Sequence, residues 1–155
     1  MKAVYAGSFD CYTNGHHDIV LKASKLFREL HIVIAVNSNK TRSYPEELMA
    51  CAIKKLLKAE GLDNCKVSIW KGLVAEYCAT NEIFYSVRGL RNSMDYNYEE
   101  SVASVNKLIM PNLETVYFRS DTPAISSSMV RELHGFGREI SSYVPKEIWE
   151  CIKHM

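Results

Sequence analysis

Apolar positions along the chain follow two rhythms. Short unbroken runs read as strands: Ala3-Val4-Tyr5-Ala6, His31-Ile32-Val33-Ile34-Ala35-Val36, Val67-Ser68-Ile69-Trp70, Ile83 to Val87, and Thr115-Val116-Tyr117-Phe118. The second of these is β-branched throughout its centre, as expected of a strand buried on both faces. Segments with helical spacing lie between the runs. Ile19, Leu21, Ala23, Leu26, Phe27 and Leu30 mark one over Gly15 to Leu30. Pro45-Glu46-Glu47 opens a second, with Pro suited to a first turn and the acids to the helix dipole. Leu48, Ala52, Ile53, Leu56 and Leu57 give it a core face, and Gly61 ends it. Further helices are expected over Leu73 to Thr80, about Asp95 to Leu108, Ile125 to Leu133, and from Pro145 with Ile148, Trp149 and Ile152 on one side.

Strand and helix therefore alternate five times. That pattern predicts an α/β fold, an open, doubly wound, five-stranded and mostly parallel sheet with helices on both faces. No repeat, linker or low-complexity tract divides the chain, so residues 1–155 are expected to form one domain.

In such a sheet, ligands bind outside the carboxyl ends of the strands. Four polar segments follow strands: Gly7–His16, Asn37–Tyr44, Arg88–Ser93 and Ser120–Ser128. All four should fall on one edge. The first reads Gly7-Ser8-Phe9-Asp10, then Thr13-Asn14-Gly15-His16, a strand–turn–helix unit that aims backbone N–H groups at an anion. It is neither a GxGxxG fingerprint nor a GxxxxGK[ST] loop, so neither of those mechanisms applies. His16 sits where it can reach such an anion. Lys40, Arg42, Arg88, Arg91 and the serine-rich start at Ile125-Ser126-Ser127-Ser128 join it. A single Lys or Arg in a loop is ordinarily a solvated charge. Six cationic or donor groups on one edge point to a polyphosphate.

Composition narrows the classes. Net charge is +1, with 47% hydrophobic and 24% charged residues. That balance offers no global attraction to nucleic acid or to an acidic membrane, so neither is an expected partner. No stretch is long enough to span a bilayer. The sequence enters a strand at once, with no signal-peptide pattern, so a cytoplasmic protein is expected. Cys11, Cys51, Cys65, Cys78 and Cys151 form no CxxC pair and no zinc spacing. They are expected to be free thiols, with Cys11 inside the proposed phosphate loop.

Gly-Ser-Phe-Asp followed by Thr-Asn-Gly-His resembles the signature of the nucleotidyltransferases that carry an (H/T)xGH motif. Arg88-Gly89-Leu90-Arg91, then Asp95-Tyr96-Asn97-Tyr98-Glu99, and Ile125-Ser126-Ser127-Ser128 resemble the bacterial phosphopantetheine adenylyltransferases in particular. The resemblance spans nearly the whole chain. It implies a Rossmann-like nucleotidyltransferase fold and adenylyl transfer from ATP to 4′-phosphopantetheine, giving dephospho-coenzyme A and pyrophosphate. The acceptor phosphate is already ionised near neutral pH, so catalysis should rest on positioning and charge stabilisation.

By the same resemblance, His16, Lys40, Arg91 and Ser128 are the catalytic set. Ser8, Lys40, Val74 and Arg88 would bind phosphopantetheine. Ser8, Phe9, His16, Gly89, Leu90, Arg91 and Glu99 would surround ATP, with Thr122, Pro123, Ala124, Ile125, Ser126, Ser127 and Ser128 completing its site. The resemblance also implies Mg²⁺ bridged through the ATP phosphates with no protein ligands, coenzyme A as feedback ligand, and a homohexamer. Two departures stand out. Cys11 replaces the usual Pro; the leading expectation is a harmless substitution, the alternative a thiol open to oxidation or alkylation. Thr41-Arg42-Ser43-Tyr44 replaces a Lys-Pro-x-Phe continuation and raises the question whether Arg42 adds a contact. The alternatives are a transferase of the same superfamily with a mononucleotide or polyol-phosphate acceptor, and a nucleotide sensor without catalysis.

Overall fold

The computed structural model describes residues 1–155, in which five strands and six helices alternate. They are β1 (Lys2–Gly7), α1 (Asn14–Leu26), β2 (Glu29–Ala35), α2 (Glu46–Ala59), β3 (Cys65–Trp70) and α3 (Val74–Asn81). β4 (Tyr85–Leu90), α4 (Ser93–Ile109), β5 (Glu114–Arg119), α5 (Ser127–Gly135) and α6 (Lys146–Ile152) follow. The strand order is β3-β2-β1-β4-β5 and every pair is parallel. The sheet is thus doubly wound, with its topological switch between β1 and β4.

Alternating residues divide the core. Ala3, Tyr5, Ile32 and Ile34 point to one face and pack with Ile19 of α1, Ile53 of α2, Val130 of α5 and Ile148 of α6. Val4, Ala6 and Val33 point to the other and pack with Tyr77 and Cys78 of α3, Ile83 and Leu113. Ile32 and Ile34 are fully buried, and each contributes about 1.5–3 kcal/mol on that count. The second face is thinner. Along the 17 residues of α4 only Glu99 is buried.

The sheet opens at its switch point. The β1–β4 ladder holds only Ala3↔Tyr85 and Val4↔Ser86, whereas β4 pairs with β5 from Tyr85↔Glu114 through Leu90↔Arg119. Beyond Val4 and Ser86 the two strands part, and their carboxyl-terminal halves become facing walls. The apolar pattern ends β4 at Val87 and puts Arg88, Gly89 and Leu90 in the following loop. They are the last three residues of the strand. A charge interrupts the apolar pattern at Arg88 but not the ladder, which is a backbone property. Likewise α1 stops at Leu26, and Phe27 and Leu30 belong to the core without being helical.

Gly89 shows how tightly α1 is seated on this wall. A Cβ built there would lie 2.9 Å from Cγ1 of Ile19. Gly89→Ala should therefore force α1 off β4 and destabilise the protein by about 1–3 kcal/mol, as overpacking does. Urea unfolding measures this, and an unchanged midpoint would show that Ile19 yields freely.

Candidate active site

The parted strands open into a cleft of about 280 Å³ at the carboxyl edge of the sheet. Tyr5, Ala6 and Gly7 line one wall, Arg88 and Gly89 the other, with α1 and the start of α5 closing its ends. The turn between β1 and α1 is folded inward: Phe9, Asp10, Cys11, Tyr12 and Thr13 are all buried. Its polar groups are satisfied by donors from other segments of the chain. Arg42 Nη1 donates to the Ser8 carbonyl at 2.7 Å, Ser127 Oγ to the Cys11 carbonyl at 2.8 Å, and Arg131 to the Asp10 carbonyl. The Asp10 carboxylate accepts from the N–H groups of Ser43 and Tyr44, both at 2.9 Å. Phe9 holds a left-handed φ of 43° in this turn.

His16 faces the cleft from the first turn of α1. The cap Thr13 donates its N–H to His16 Nδ1 at 3.0 Å, and Thr13 Oγ1 accepts from the His16 N–H at 3.4 Å. An Nδ1 that accepts carries no proton, so the neutral ring is the Nε2–H tautomer. Phe9 meets the ring edge-on at 5.0 Å and Tyr12 lies 5.7 Å away. Burial pushes the imidazole pKa down to about 3, and the charges of Arg88 and Arg91 push the same way. The ring is therefore an uncharged donor aimed at the cleft.

Two arginines supply the charge, each held by a carboxylate. Arg88 donates from Nε and Nη2 to the two oxygens of Glu99 at 2.6 and 2.7 Å, and from Nη1 to the Ala6 carbonyl. That last contact spans the gap where the β1–β4 ladder has stopped. Three of its five N–H donors are used, leaving one on each terminal nitrogen. Glu99 is 8% exposed, so removing Arg88 would strand a buried charge. Arg91 pairs with Asp95 through Nε at 2.9 Å, and its backbone N–H meets the same oxygen at 3.0 Å. This guanidinium holds the Asp95 carboxyl below its ordinary range. At the far end, Ser126 caps α5 by accepting from the Met129 N–H. The first-turn N–H groups at Ser127 and Ser128 lack helical partners and lie at the cleft.

Of the residues expected in the site, the cleft is lined by Phe9, His16, Arg88, Gly89, Arg91, Glu99 and Ile125 to Ser128. Ser8 and Lys40 are exposed and stand outside its lining. Leu90 is also outside it. Val74 is half-buried on the first turn of α3 against the smaller core cluster. Thr122, Pro123 and Ala124 form the loop above the α5 end. Thr122 Oγ1 is buried without a partner, 3.5 Å from where a Gly15 Cβ would stand.

The sequence reading missed three supports. Asp95 lies in a motif that by itself assigns it no role, and it holds Arg91. Lys22 donates to the Arg119 carbonyl at 2.7 Å and pairs with Asp18 at 3.0 Å and Asp121 at 2.9 Å, pinning the 120–124 loop to α1. The i, i+4 spacing of Asp18 and Lys22 was the available signal. Asp10 is a motif residue whose carboxylate ties the Ser43–Tyr44 backbone to the β1–α1 turn. Cys11 is fully buried, and burial pushes its thiol up to about 12, which protects it from alkylation and oxidation. The two buried histidines are structural. His17 bridges Tyr12 and Glu60, and His31 bridges Tyr77 and Glu29.

No three His, Cys, Asp or Glu side chains are grouped to hold a metal ion. The cleft carboxylates Asp95 and Glu99 are already committed to arginines.

The model of the cytidylyltransferase-like family matches residues 4–133. The phosphopantetheine adenylyltransferase of Leptospira biflexa is 37% identical over 152 residues, covering 97% of this chain and 94% of its own length. That of Cytophaga hutchinsonii is 35% identical over 148 residues, covering 94% and 97%. Among solved structures, the bifunctional NMN adenylyltransferase/ADP-ribose pyrophosphatase of Francisella tularensis superposes with a TM-score of 0.70 at 15% identity. That match covers 92% of this chain and 44% of the other, and shows the shared fold.

The neutral His16 has a measurable signature. In the ligand-free protein its ring resonance should not titrate between pH 5 and 8. The unfolded ring takes a proton near 6.5 and the folded ring only near 3. The folded state binds fewer protons in between, so this residue removes stability as pH falls below 6.5. A His16→Gln variant should lack that loss. A folded-state His16 titration near 6.5 would contradict the assignment.

Proposed function

The chain belongs to the phosphopantetheine adenylyltransferases, a nucleotidyltransferase family of coenzyme A biosynthesis, and from that premise we propose how its cleft carries out the reaction. ATP is the donor and 4′-phosphopantetheine the acceptor. An oxygen of the acceptor phosphate forms a bond to the α-phosphorus. The bond from that phosphorus to the β-bridging oxygen breaks, and pyrophosphate leaves with the electron pair. The nucleophile is already an anion, so the site needs no general base, and none stands free in the cleft.

The observation that carries this reading is His16 lining the cleft with Nδ1 taken by the Thr13 N–H, which leaves Nε2–H as the donor in the field of Arg88 and Arg91. Nε2–H donates to an α-phosphate oxygen as the phosphorus becomes five-coordinate, with no proton to transfer and no reorganisation to make. Arg91 and the N–H groups at Ser127 and Ser128 hold the β- and γ-phosphates that become pyrophosphate. Arg88 offers its two remaining donors to the acceptor phosphate, with Glu99 fixing the plane of the guanidinium beside the nucleotide. Lys40, free of any ion pair, closes over the reacting phosphates, and Ser8 meets them from the β1–α1 turn. Gly89 and Leu90 approach the nucleotide by backbone, Phe9 and Ile125 flank it, and Thr122, Pro123 and Ala124 lie over the adenine. The pantetheine arm runs past the end of β3 to Val74.

The family works with a divalent metal, and Mg²⁺ riding on the ATP phosphates suits a cleft whose carboxylates are occupied. When bound, it supplies charge neutralisation on the triphosphate. Coenzyme A and dephospho-coenzyme A share the pantetheine arm of the acceptor and would compete for the cleft. The thin face of the sheet supports assembly into a homohexamer: Met94, Tyr98, Val105 and Leu108 of α4 are more than half exposed. The 155 residues act as one domain in the cytoplasm, on small molecules and without nucleic acid or membrane. No helix is long and apolar enough to cross a membrane.

Pyrophosphate release with Mg²⁺-ATP and a panel of acceptors tests this reading. Turnover is expected with 4′-phosphopantetheine and not with nicotinamide mononucleotide or glycerol 3-phosphate. His16→Ala should lower kcat by about 10²-fold, the scale of a lost oxyanion donor, and leave ATP binding nearly intact. Equal losses in turnover and binding would remove His16 from the transition state.

A further inference from the structure

Arg42 lies outside the cleft, in the segment that departs from the family pattern, yet its side chain is only 12% exposed. Its guanidinium is a fork between two loops. Nη1 donates to the Ser8 carbonyl on the β1–α1 turn at 2.7 Å, and Nε to the Tyr44 carbonyl of its own loop at 3.0 Å. Nη2 is buried without a partner, and the Glu46 carboxylate stands 3.8 Å from Nε. Asp10 answers in the opposite direction, its carboxylate taking the N–H groups of Ser43 and Tyr44. Two loops are thus tied reciprocally, carbonyls to a cation and N–H groups to an anion.

The segment between β2 and this clasp is short and self-contained. Lys40 N–H closes a turn on the Asn37 carbonyl at 3.0 Å, and Asn39 N–H meets Asn37 Oδ1 at 3.0 Å. The Lys40 ammonium makes no hydrogen bond or ion pair, and the residue stands two positions before Arg42. The Lys40 turn therefore hangs between the end of β2 and the clasp. We propose that Arg42 is a positioning residue: with Asp10 it fixes the Lys40 turn against the phosphate loop, so that Lys40 meets the reacting phosphates in place. This rests on the role given to Lys40 above. A cation on a flexible four-carbon stem acts only as well as its Cα is placed, and a misplacement of about 1 Å can cost as much as 10²-fold in rate. A Lys at position 42 would keep the charge, but its compact ammonium lacks the planar fork that spans both carbonyls.

The test is a double-mutant cycle on kcat and KM with ATP and 4′-phosphopantetheine, using Arg42→Lys, Lys40→Ala and the pair. Arg42→Lys should lower kcat about tenfold, within the range of coupled neighbours, while KM for ATP changes little. In the Lys40→Ala background the same substitution should cost no further turnover. Equal fold losses in both backgrounds would overturn the proposal, because a merely structural effect, misfolding included, is indifferent to Lys40. Wild-type turnover in Arg42→Lys would overturn it too, since the charge alone would then suffice. Wild-type turnover in Lys40→Ala would be read from that single variant, and would remove the role of Lys40 and this inference with it.

Discussion

A buried turn must find partners for its backbone. The chain folds residues 9–13 inward after β1, out of reach of water, and an unpaired buried carbonyl there would cost about 1–3 kcal/mol. The donors come from distant segments: Arg42 to Ser8, Arg131 to Asp10, Ser127 to Cys11, and Arg88 to Ala6 at the strand end. Satisfying this turn brings the loops after β2 and β5 and the end of β4 together. The same bonds that stabilise the fold collect cations and N–H donors around one cleft.

That origin explains the electrostatics. The arginines are not loose surface charges. Glu99 and Asp95 hold Arg88 and Arg91 in fixed planes, and their combined field helps to keep His16 neutral. A protonated imidazole would add attraction for any phosphate, bound substrate included. In the role proposed for His16, a neutral N–H in a positive setting is an oriented donor whose effect grows with the charge that develops at the α-phosphorus. Adenylyl transfer to an anionic phosphate asks for that kind of help and for no proton acceptor.

Much of this was legible in the sequence. Two periodicities and their order were enough for a doubly wound sheet, and the rule that loops after parallel strands share an edge brought His16, Arg88, Arg91 and the Ser126–Ser128 turn together. The comparisons support the family that Arg88-Gly89-Leu90-Arg91 and Ile125-Ser126-Ser127-Ser128 suggested. The misses have physical causes. β4 runs on through Arg88 because Glu99, eleven residues later, neutralises a charge that reads as a loop signal. The depth of Cys11 and the work of Asp10 depend on contacts across tens of residues, which no local pattern carries. Lys40 and Val74 lie on the expected edge but outside the cleft lining, because only loops adjoining the β1–β4 gap wall it directly.

The central claim is that the site is built before its substrates arrive. A crystal structure of the protein with a non-hydrolysable ATP analogue tests it most directly. An α-phosphate oxygen should lie within hydrogen-bond reach of His16 Nε2, with the Arg42–Ser8, Ser127–Cys11 and Asp10–Tyr44 bonds unchanged. Phosphates bound away from His16, or a β1–α1 turn that has exchanged its partners, would contradict it.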